Sequence, residues 1–169
     1  MPKIIKNDRI IDDAWEIIRI SEGQAPESIS LADTPTLYPL AVWRSQREQI
    51  LASSQLAGVW LQSVDNPESL AGDLDRIAVI AIDFPKFTDG RGYSAARLLR
   101  ERYGYQGEIR AIGDVLRDQL FFMKRCGFDA FAVKSGKDIE DALAGLRDFS
   151  ETYQGAVDQP QPLFRRRSD

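Results

Sequence analysis

The chain has 169 residues, a formal net charge of −4 and an apolar fraction of 43%. These values fit one domain with a full hydrophobic core and give no general case for nucleic-acid binding. The sequence contains no histidine and one cysteine, Cys126, which excludes a histidine zinc site, a dithiol redox pair and an internal disulfide within this chain. The single thiol, and the lack of an apolar run long enough for a signal peptide or a membrane span, predict a cytoplasmic protein.

Residues 1–39 are predicted to form an N-terminal extension. Two apolar runs flank the polar Lys6–Asp8 turn and predict a β-hairpin. A short helix at Asp13–Ile20 is the alternative for the second part of this stretch. Three prolines and few large apolar residues predict an extended linker over Ser21–Pro39.

Residues 40–153 are predicted to form an α/β domain in which strands and helices alternate. The helix after the first strand is expected to have Asn66 as its N-cap and Pro67 at its first position. The polar residues 154–169 predict a flexible tail, in which Leu163, Phe164 and Arg165–Arg167 offer an alternative as a docking segment. In chain order the predicted elements are helix Ala41–Gln55, strand Gly58–Gln62, the helix after Asn66, strand Ile77–Ile82, helix Ser94–Tyr103, strand Glu108–Ile112, helix Leu116–Arg125, strand Phe128–Val133 and helix Asp138–Tyr153.

About four βα units of this kind predict a parallel sheet, and two architectures fit them. One is an open three-layer sheet with helices on both faces. The other is a half-barrel-like arc, because four units are half of the eight in a closed barrel. An arc would leave an apolar edge or face to cover, so this version predicts a homodimer.

The predicted functional region is the segment Lys86–Arg125. It carries nine basic and five acidic residues, whereas the rest of the chain carries 13 basic and 21 acidic residues. A locally positive segment in an acidic protein attracts an anionic ligand or partner. We therefore expect an anionic small molecule to bind here.

Four loops at the carboxyl ends of the predicted strands are candidates for the site, namely Gln62–Asp65, Asp83–Tyr93, Gly113–Asp114 and Lys134–Gly136. The predicted catalytic carboxylates are Asp83 and Asp114, although Asp114 is also suited to cap the following helix. The predicted anion-binding residues are Thr88, Asp89, Gly90, Arg91, Gly92, Tyr93, Arg110 and Lys134. The alternative for the long loop is that Thr88 or Asp89 caps a helix and the glycines make a tight turn. The sequence predicts no metal ligands, and neither a dinucleotide fingerprint nor a GxxxxGK[ST] phosphate loop occurs in it.

Arg110 and Cys126 each allow two interpretations. Arg110 lies in the middle of a predicted buried strand, so it either forms an internal pair with Asp83 or Asp114 or extends to the strand ends to bind an anion. Cys126 closes a helix, where the helix dipole disfavours a thiolate, so a small buried hydrophobic role is expected rather than a reactive one.

The run FPKFTDGRGYSAARLLRERYGYQGEIRAIGDVLRDQLFFMKRCGFDAF, Phe84–Phe131, resembles the signature block of an uncharacterised bacterial family, domain of unknown function 934. The segments WR, LAGVWLQ and NPESLAGDLDRIAVIAIDF agree with the family ahead of this block, so the resemblance covers roughly Leu40 to Leu146. Members are commonly labelled as probable oxidoreductases involved in sulfite reduction. The resemblance implies that pathway and a bacterial cytoplasm, and it brings no assigned catalytic residues and no known cofactor.

Three hypotheses for function follow. The resemblance implies an oxidoreductase-associated protein of sulfite reduction, and the positive segment would give it a cationic site suited to sulfite, sulfate or a phosphorylated ligand. The lack of redox and nucleotide motifs favours a non-catalytic accessory or adaptor of sulfite reductase. The third hypothesis is a barrel-type enzyme in which Asp83 or Asp114 is the base and Arg91 and Arg110 bind an anionic substrate.

Overall fold

The computed structural model describes residues 1–86, 88–147 and 155–161. Within them the strands are β1 Lys3–Lys6, β2 Arg9–Asp12, β3 Glu16–Ile17, β4 Thr36–Pro39, β5 Ala57–Leu61, β6 Val79–Phe84, β7 Glu108–Gly113 and β8 Ala130–Phe131. The helices are α1 Leu40–Ala52, α2 Arg91–Arg97, α3 Arg117–Cys126 and α4 Ile139–Gly145. A π-helical segment, Leu98–Arg102, continues α2, and short 3-10 helices occur at Pro26–Ser28, Pro67–Leu70 and Leu74–Arg76.

The strands form one curled sheet that makes a half-barrel. The order across the sheet is β2-β1-β8-β7-β6-β5-β4-β3. Strands β3 to β8 run parallel, and the predicted hairpin, β1 and β2, adds to β8 in the antiparallel direction. The predicted α/β class and the hairpin are therefore confirmed, and the arc is the architecture that the chain adopts.

The sheet is wider than the sequence predicts, because the stretch assigned to a linker contributes a strand. Thr36–Pro39 (β4) pairs with β5 on one side and β3 on the other, and all four of its residues are buried. The short strand β3 replaces the helix considered at Asp13–Ile20. Four residues that end in a proline show too little alternation to predict a strand.

Several helices differ in extent from their predictions. Asn66 accepts a hydrogen bond from the Glu68 amide as expected, but only the 3-10 helix Pro67–Leu70 follows it. Helix α2 begins at Arg91 instead of Ser94 and passes into the π-helical segment. Helix α4 has Asp138 as its N-cap and ends at Gly145, and residues 148–153 of its predicted extent lie outside the described residues.

The π-helical segment is held by Arg100. Its guanidinium donates hydrogen bonds to the carbonyls of Tyr105 and Gly107 at 2.8 and 2.7 Å and to that of Gly127 at 3.0 Å. The first two carbonyls lie between the helix and β7, and the third ends α3. The partly buried Arg100 guanidinium thus links the ends of two helices to the start of a strand.

The two faces of the sheet carry different packing layers. Alternate residues of β6, such as Ile80 and Ile82, face the outer side, where they join the main core with the helices. The residues between them face the inner side of the arc. The inner cluster consists of Leu37, Trp60, Val79, Ala81 and Ile112, and none of them is more than 5% exposed.

Trp15 covers this inner cluster, and Gly58 makes the space for it. A Cβ at Gly58 would lie 2.5 Å from the Leu37 side chain and 3.3 Å from the Trp15 ring. The inner face is thus covered by the chain itself. Among the described residues this face is therefore not open, so it gives no support to the expected homodimer, which stays a prediction.

The segment 155–161 lies against the end of α3, where the Val157 amide donates a hydrogen bond to the Arg125 carbonyl at 3.0 Å. The predicted docking residues Leu163, Phe164 and Arg165–Arg167 lie outside the described residues. Among the helices that the structure describes, none is long and apolar enough to cross a membrane.

Candidate functional site at the carboxyl edge of the sheet

The four candidate loops lie along one edge of the half-barrel. Strands β5 to β8 are parallel and neighbours in the sheet, so their carboxyl ends meet at this edge. Gly113 brings two of the loops into contact. Its φ is +91°, and a Cβ there would lie 2.6 Å from Oδ1 of Asp83 and 2.5 Å from the Phe84 carbonyl oxygen. The predicted sites on β6 and β7 therefore adjoin.

In the long loop, Asp89 and Arg91 form a closed pair. The Arg91 guanidinium contacts both carboxylate oxygens of Asp89 at 3.0 and 2.9 Å and also donates to Oγ of Ser63 at 3.2 Å. The hydrogen bond from Arg91 holds the pKa of the Asp89 carboxyl far below its usual range. Arg91 is therefore already paired with a carboxylate, and it links the loops after β5 and β6.

The other residues of this loop have separate environments. Thr88 lies in the turn before Asp89, and Gly90 immediately precedes α2. Gly92 packs on Phe84, since a Cβ there would lie 2.7 Å from the Phe84 ring. The Tyr93 ring packs between Phe84 and Phe122, with centroid distances of 5.3 and 5.1 Å, and burial raises the pKa of its hydroxyl. Gly92 and Tyr93 thus pack on Phe84 in the main core, whereas Thr88, Asp89 and Arg91 are at the edge.

The two predicted catalytic carboxylates each contact a cation at this edge. Asp83 accepts hydrogen bonds from both terminal nitrogens of Arg19, at 3.3 and 3.4 Å. Asp114 Oδ1 lies 2.6 Å from Nζ of Lys134, which places another predicted residue at the same edge. The residue before α3 is Leu116, so Asp114 does not occupy the capping position considered for it.

Arg110 lies away from this edge, and its partners differ from those predicted. Its guanidinium is 1% exposed and contacts Asp13 at 2.9 Å and Glu108 at 2.7 Å, and Lys6 completes the group at 2.6 Å from Glu108. The internal-pair interpretation is therefore the one observed, and the assignment of Arg110 to the anion site is corrected. The partners come from the hairpin and from its own strand because alternate residues of β7 face the inner side of the arc.

Cys126 is also placed by packing. The thiol is 4% exposed, and burial raises its pKa, so the thiol form is favoured near neutral pH. This agrees with the expected small hydrophobic role.

A cavity of about 470 Å³ opens at the same edge, beside the ends of β3, β4 and β5. Two arginines, Arg19 and Arg44, line it, together with the Trp60 ring, Gln62 and Asp65. The start of α1 completes the wall with Leu40 and Ala41. The predicted loop Gln62–Asp65 therefore lines a cavity. This cavity lies beside the long loop Asp83–Tyr93.

Arg19 connects the cavity to the row of carboxylates. Its guanidinium carbon lies 4.9 Å from the centre of the Trp60 ring, in the geometry of a cation–π contact, while its nitrogens contact Asp83. The Trp60 indole in turn donates to the Ile18 carbonyl at 2.8 Å, which fixes the segment that carries Arg19. Arg19 thus contacts Asp83 and lines the cavity at the same time.

Arg44 differs from every other arginine at this edge. Its side chain is exposed, and no hydrogen bond or ion pair joins it to another residue in the part of the chain that the structure describes. It lies in the first turns of α1, whose N-cap position is Pro39 and whose first amides have no side-chain cap. The cavity therefore has one arginine whose charge is not neutralised by a neighbour.

Sequence reasoning missed both cavity arginines. Arg44 lies in the first turns of the helix that follows β4, and with that strand unrecognised nothing marked it as a residue near a strand end. Arg19 lies in a strand-like run between Ile18 and Ile20, and its contact with Asp83 spans 64 positions. A signal was present for Arg44, because it is a basic residue in the first turns of a predicted helix.

A half-barrel of mostly parallel strands, with acid–base pairs and a cavity along its carboxyl edge, defines an α/β protein. The family model described as a bacterial protein of unknown function, DUF934, matches residues 58–164, and the chain belongs to this family. The resemblance seen in the sequence is thereby confirmed. No curated protein and no solved structure matches the chain. The matched region contains Trp60, Asp65 and Asp83, whereas Arg19 and Arg44 precede it.

Proposed function

We propose that this protein binds an anionic small molecule in the cavity at the carboxyl edge of its half-barrel and acts in sulfite or sulfate reduction. The observation that carries the binding proposal is Arg44, an arginine without an ionic partner among the described residues, in the wall of a cavity. The pathway comes from the label that the family resemblance carries. Sulfite, sulfate and phosphorylated compounds are the anions to test first.

The surroundings of Arg44 support an anion over a neutral ligand. The amides at the start of α1 have no side-chain cap, and Leu40 and Ala41 line the cavity. Such amides and the helix dipole favour negative charge. Arg19 brings a second guanidinium, held at distances of 3.3 and 3.4 Å from Asp83, which are long for a charged pair. A ligand oxyanion can therefore share Arg19 with Asp83.

Titration calorimetry of the full chain with sulfite, sulfate and inorganic phosphate tests the proposal. At least one of these anions is expected to bind, and Arg44→Gln is expected to weaken its binding about tenfold, because one charge-assisted hydrogen bond is lost. Arg9→Gln is the matched control. It removes the same charge from the exposed edge strand β2, far from the cavity in the sheet order, and is expected to leave binding within twofold. Equal effects of the two substitutions, or no heat with any anion, would refute the proposed site.

Catalysis by the edge carboxylates is a second candidate, and the shared contact of Arg19 favours it. If a bound anion draws Arg19 toward the cavity, Asp83 becomes a carboxylate next to that anion and able to accept a proton. Asp83→Asn would then abolish turnover of the anion without abolishing its binding. Binding of sulfite without its consumption by the isolated protein, together with a changed rate of sulfite consumption by sulfite reductase when the protein is added, would instead favour the accessory role.

A further inference from the structure

The cavity is larger than a bare oxyanion requires. Its volume of about 470 Å³ lies within the range of roughly 300–1,000 Å³ typical of pockets for small organic molecules. An ion such as sulfite or phosphate takes up the space of a few water molecules, each about 30 Å³. Most of the cavity would remain unfilled by such an ion.

Asp65 adds a carboxylate to the two arginines that line the cavity. Its Oδ2 accepts the Gln62 amide hydrogen at 2.8 Å, which fixes the carboxylate in the loop after β5. No residue in the described part of the chain donates to its Oδ1, and Asp65 lines the cavity. A carboxylate repels an anionic group but accepts a hydrogen bond from a hydroxyl or an amine. A ligand that carries negative charge but no hydrogen-bond donor would leave Asp65 Oδ1 without a hydrogen bond.

The remaining wall is suited to a carbon skeleton. Ile20, Pro39, Leu40 and the Trp60 ring contribute apolar surface to the same cavity as the arginines and Asp65. Such surface adds affinity in proportion to the apolar area that a ligand buries. The cavity thus combines guanidinium groups, apolar walls and one fixed hydrogen-bond acceptor.

We propose that the natural ligand is an organic phosphate or sulfate ester that carries a hydroxyl or amine donor, with the ester oxyanion at Arg44 and Arg19 and the donor at Asp65. This proposal rests on the anion site proposed above and names the class of its ligand. Sugar phosphates and nucleotides share this chemistry, so the experiment must separate them.

The test uses calorimetry of the full chain with matched ligands. Glycerol 3-phosphate and propyl phosphate have three carbons and one phosphate each, and only the former has hydroxyl donors. Ribose 5-phosphate and adenosine 5′-monophosphate separate a sugar phosphate from a nucleotide, because they differ by the base. Glycerol 3-phosphate is expected to bind about tenfold more tightly than propyl phosphate, since one hydrogen bond to a charged group is gained.

Asp65→Asn gives the diagnostic result because its effects on the two kinds of ligand have opposite signs. It is expected to weaken glycerol 3-phosphate about tenfold, through loss of a charge-assisted acceptor. Binding of inorganic phosphate should stay the same or become tighter, since a repelling charge is removed. The amide oxygen of the substituted side chain still accepts the Gln62 amide hydrogen, so the loop keeps its structure. Asp75→Asn, in the exposed turn before β6 and so at the opposite edge of the sheet, is the charge-matched control and should leave every affinity within twofold.

The outcomes distinguish the proposal of an ester ligand from the proposal of an anion site. If inorganic phosphate binds and depends on Arg44, but the esters bind no more tightly and Asp65→Asn has no effect, the ester proposal is wrong and the anion site stands. If no ligand depends on Arg44, both are wrong. A preference for adenosine 5′-monophosphate over ribose 5-phosphate would assign the ligand to nucleotides, and the reverse would assign it to sugar phosphates.

Discussion

Burial and partners decide what each arginine of this fold does. Arg110 is inside the arc, where an isolated guanidinium would be costly, and the carboxylates of Asp13 and Glu108 contact it. Arg44 is exposed and has no such neighbours in the described residues, so its charge is available to a ligand. The sequence alone makes Arg110 the more unusual of the two. The proposed binding nevertheless rests on Arg44, because its charge has no ionic partner among the described residues.

Gly58 is the residue on which the cover of the inner face depends, and it can be tested directly. A Cβ at this position would approach the Val79 carbonyl oxygen to 2.7 Å and the Leu37 side chain to 2.5 Å. The carbonyl belongs to the neighbouring strand and cannot move without disturbing the ladder. We expect Gly58→Ala to lower the free energy of unfolding by about 1–3 kcal/mol, as overpacking does. Urea denaturation followed by circular dichroism measures this.

Gly72→Ala is the control for that substitution. No atom lies within 4 Å of a Cβ at Gly72, and its backbone conformation is open to other residues. Its effect should stay within about 0.5 kcal/mol of zero, as for ordinary surface positions. If Gly58→Ala is as mild as this control, Trp15 and Leu37 are not packed against the strand as described.

At the scale of elements, α1 joins the cavity to the rest of the fold. Its first residues line the cavity, and its second half is anchored by Arg47, whose guanidinium contacts both oxygens of Asp73 in the loop before β6. The Trp43 indole donates to the same carboxylate at 3.3 Å. Helix α1 thus connects the wall of the cavity to a buried carboxylate, Asp73, on the outer side of the sheet.

This anchor predicts a pH-dependent contribution to stability. The hydrogen bond from Arg47 lowers the pKa of Asp73 below its ordinary value of about 4. A carboxyl whose folded pKa is lowered stabilises the fold above the unfolded pKa, and this contribution is lost as the pH falls through the folded value. Arg47→Gln should therefore destabilise the protein at pH 7, and the difference from the unsubstituted protein should shrink as the pH falls below about 4. Thermal unfolding at several pH values measures the difference.

The exposed pair Arg97–Glu101 provides the comparison for Arg47. Both side chains of this pair are 52% exposed, so solvent screens their interaction. Arg97→Gln is expected to change stability little at any pH. A pH-independent effect of Arg47→Gln would mean that Asp73 does not depend on that arginine for its ionised state.

The elements that the sequence could predict are those with a local signal. Ile77–Ile82 is an uninterrupted apolar run, and the turn residues around it marked β6 and its neighbours nearly where the structure has them. The strand Thr36–Pro39 could not be recognised, because it has four residues, ends in a proline and owes its pairing to strands on both sides. The same limit applies to the site. The loops follow from strand order, but the Arg19–Asp83 contact joins residues 64 positions apart and the Arg110–Asp13 contact joins residues 97 positions apart.

At the scale of the whole molecule, the arc is completed by its own N-terminal segment. Residues between β2 and β4 provide the Asp13 partner of Arg110, the Trp15 ring over the inner cluster and Arg19 at the cavity. These residues precede the region that the family model matches, residues 58–164. The segment thus supplies both a cover for the core and part of the proposed binding site.

Trp15→Ala tests whether this cover keeps the half-barrel from associating through its inner face. The substitution should lower the free energy of unfolding by about 2–4 kcal/mol, because a partly buried indole no longer packs on the cluster. It should also expose part of Leu37 and Val79, and an exposed apolar patch favours self-association. Size-exclusion chromatography with light scattering is expected to show a larger concentration-dependent mass for the variant than for the unsubstituted protein.

Ile17→Ala is the control, because this side chain belongs to the same segment but is 37% exposed. It should cost little stability and leave the mass unchanged. A dimer of the unsubstituted protein that Trp15→Ala does not alter would show that association, where it occurs, uses another surface. In that case the expected homodimer would be correct, but association through the inner face of the half-barrel would not be its cause. The inner face would be closed to a second copy, and loss of Trp15 would not open it.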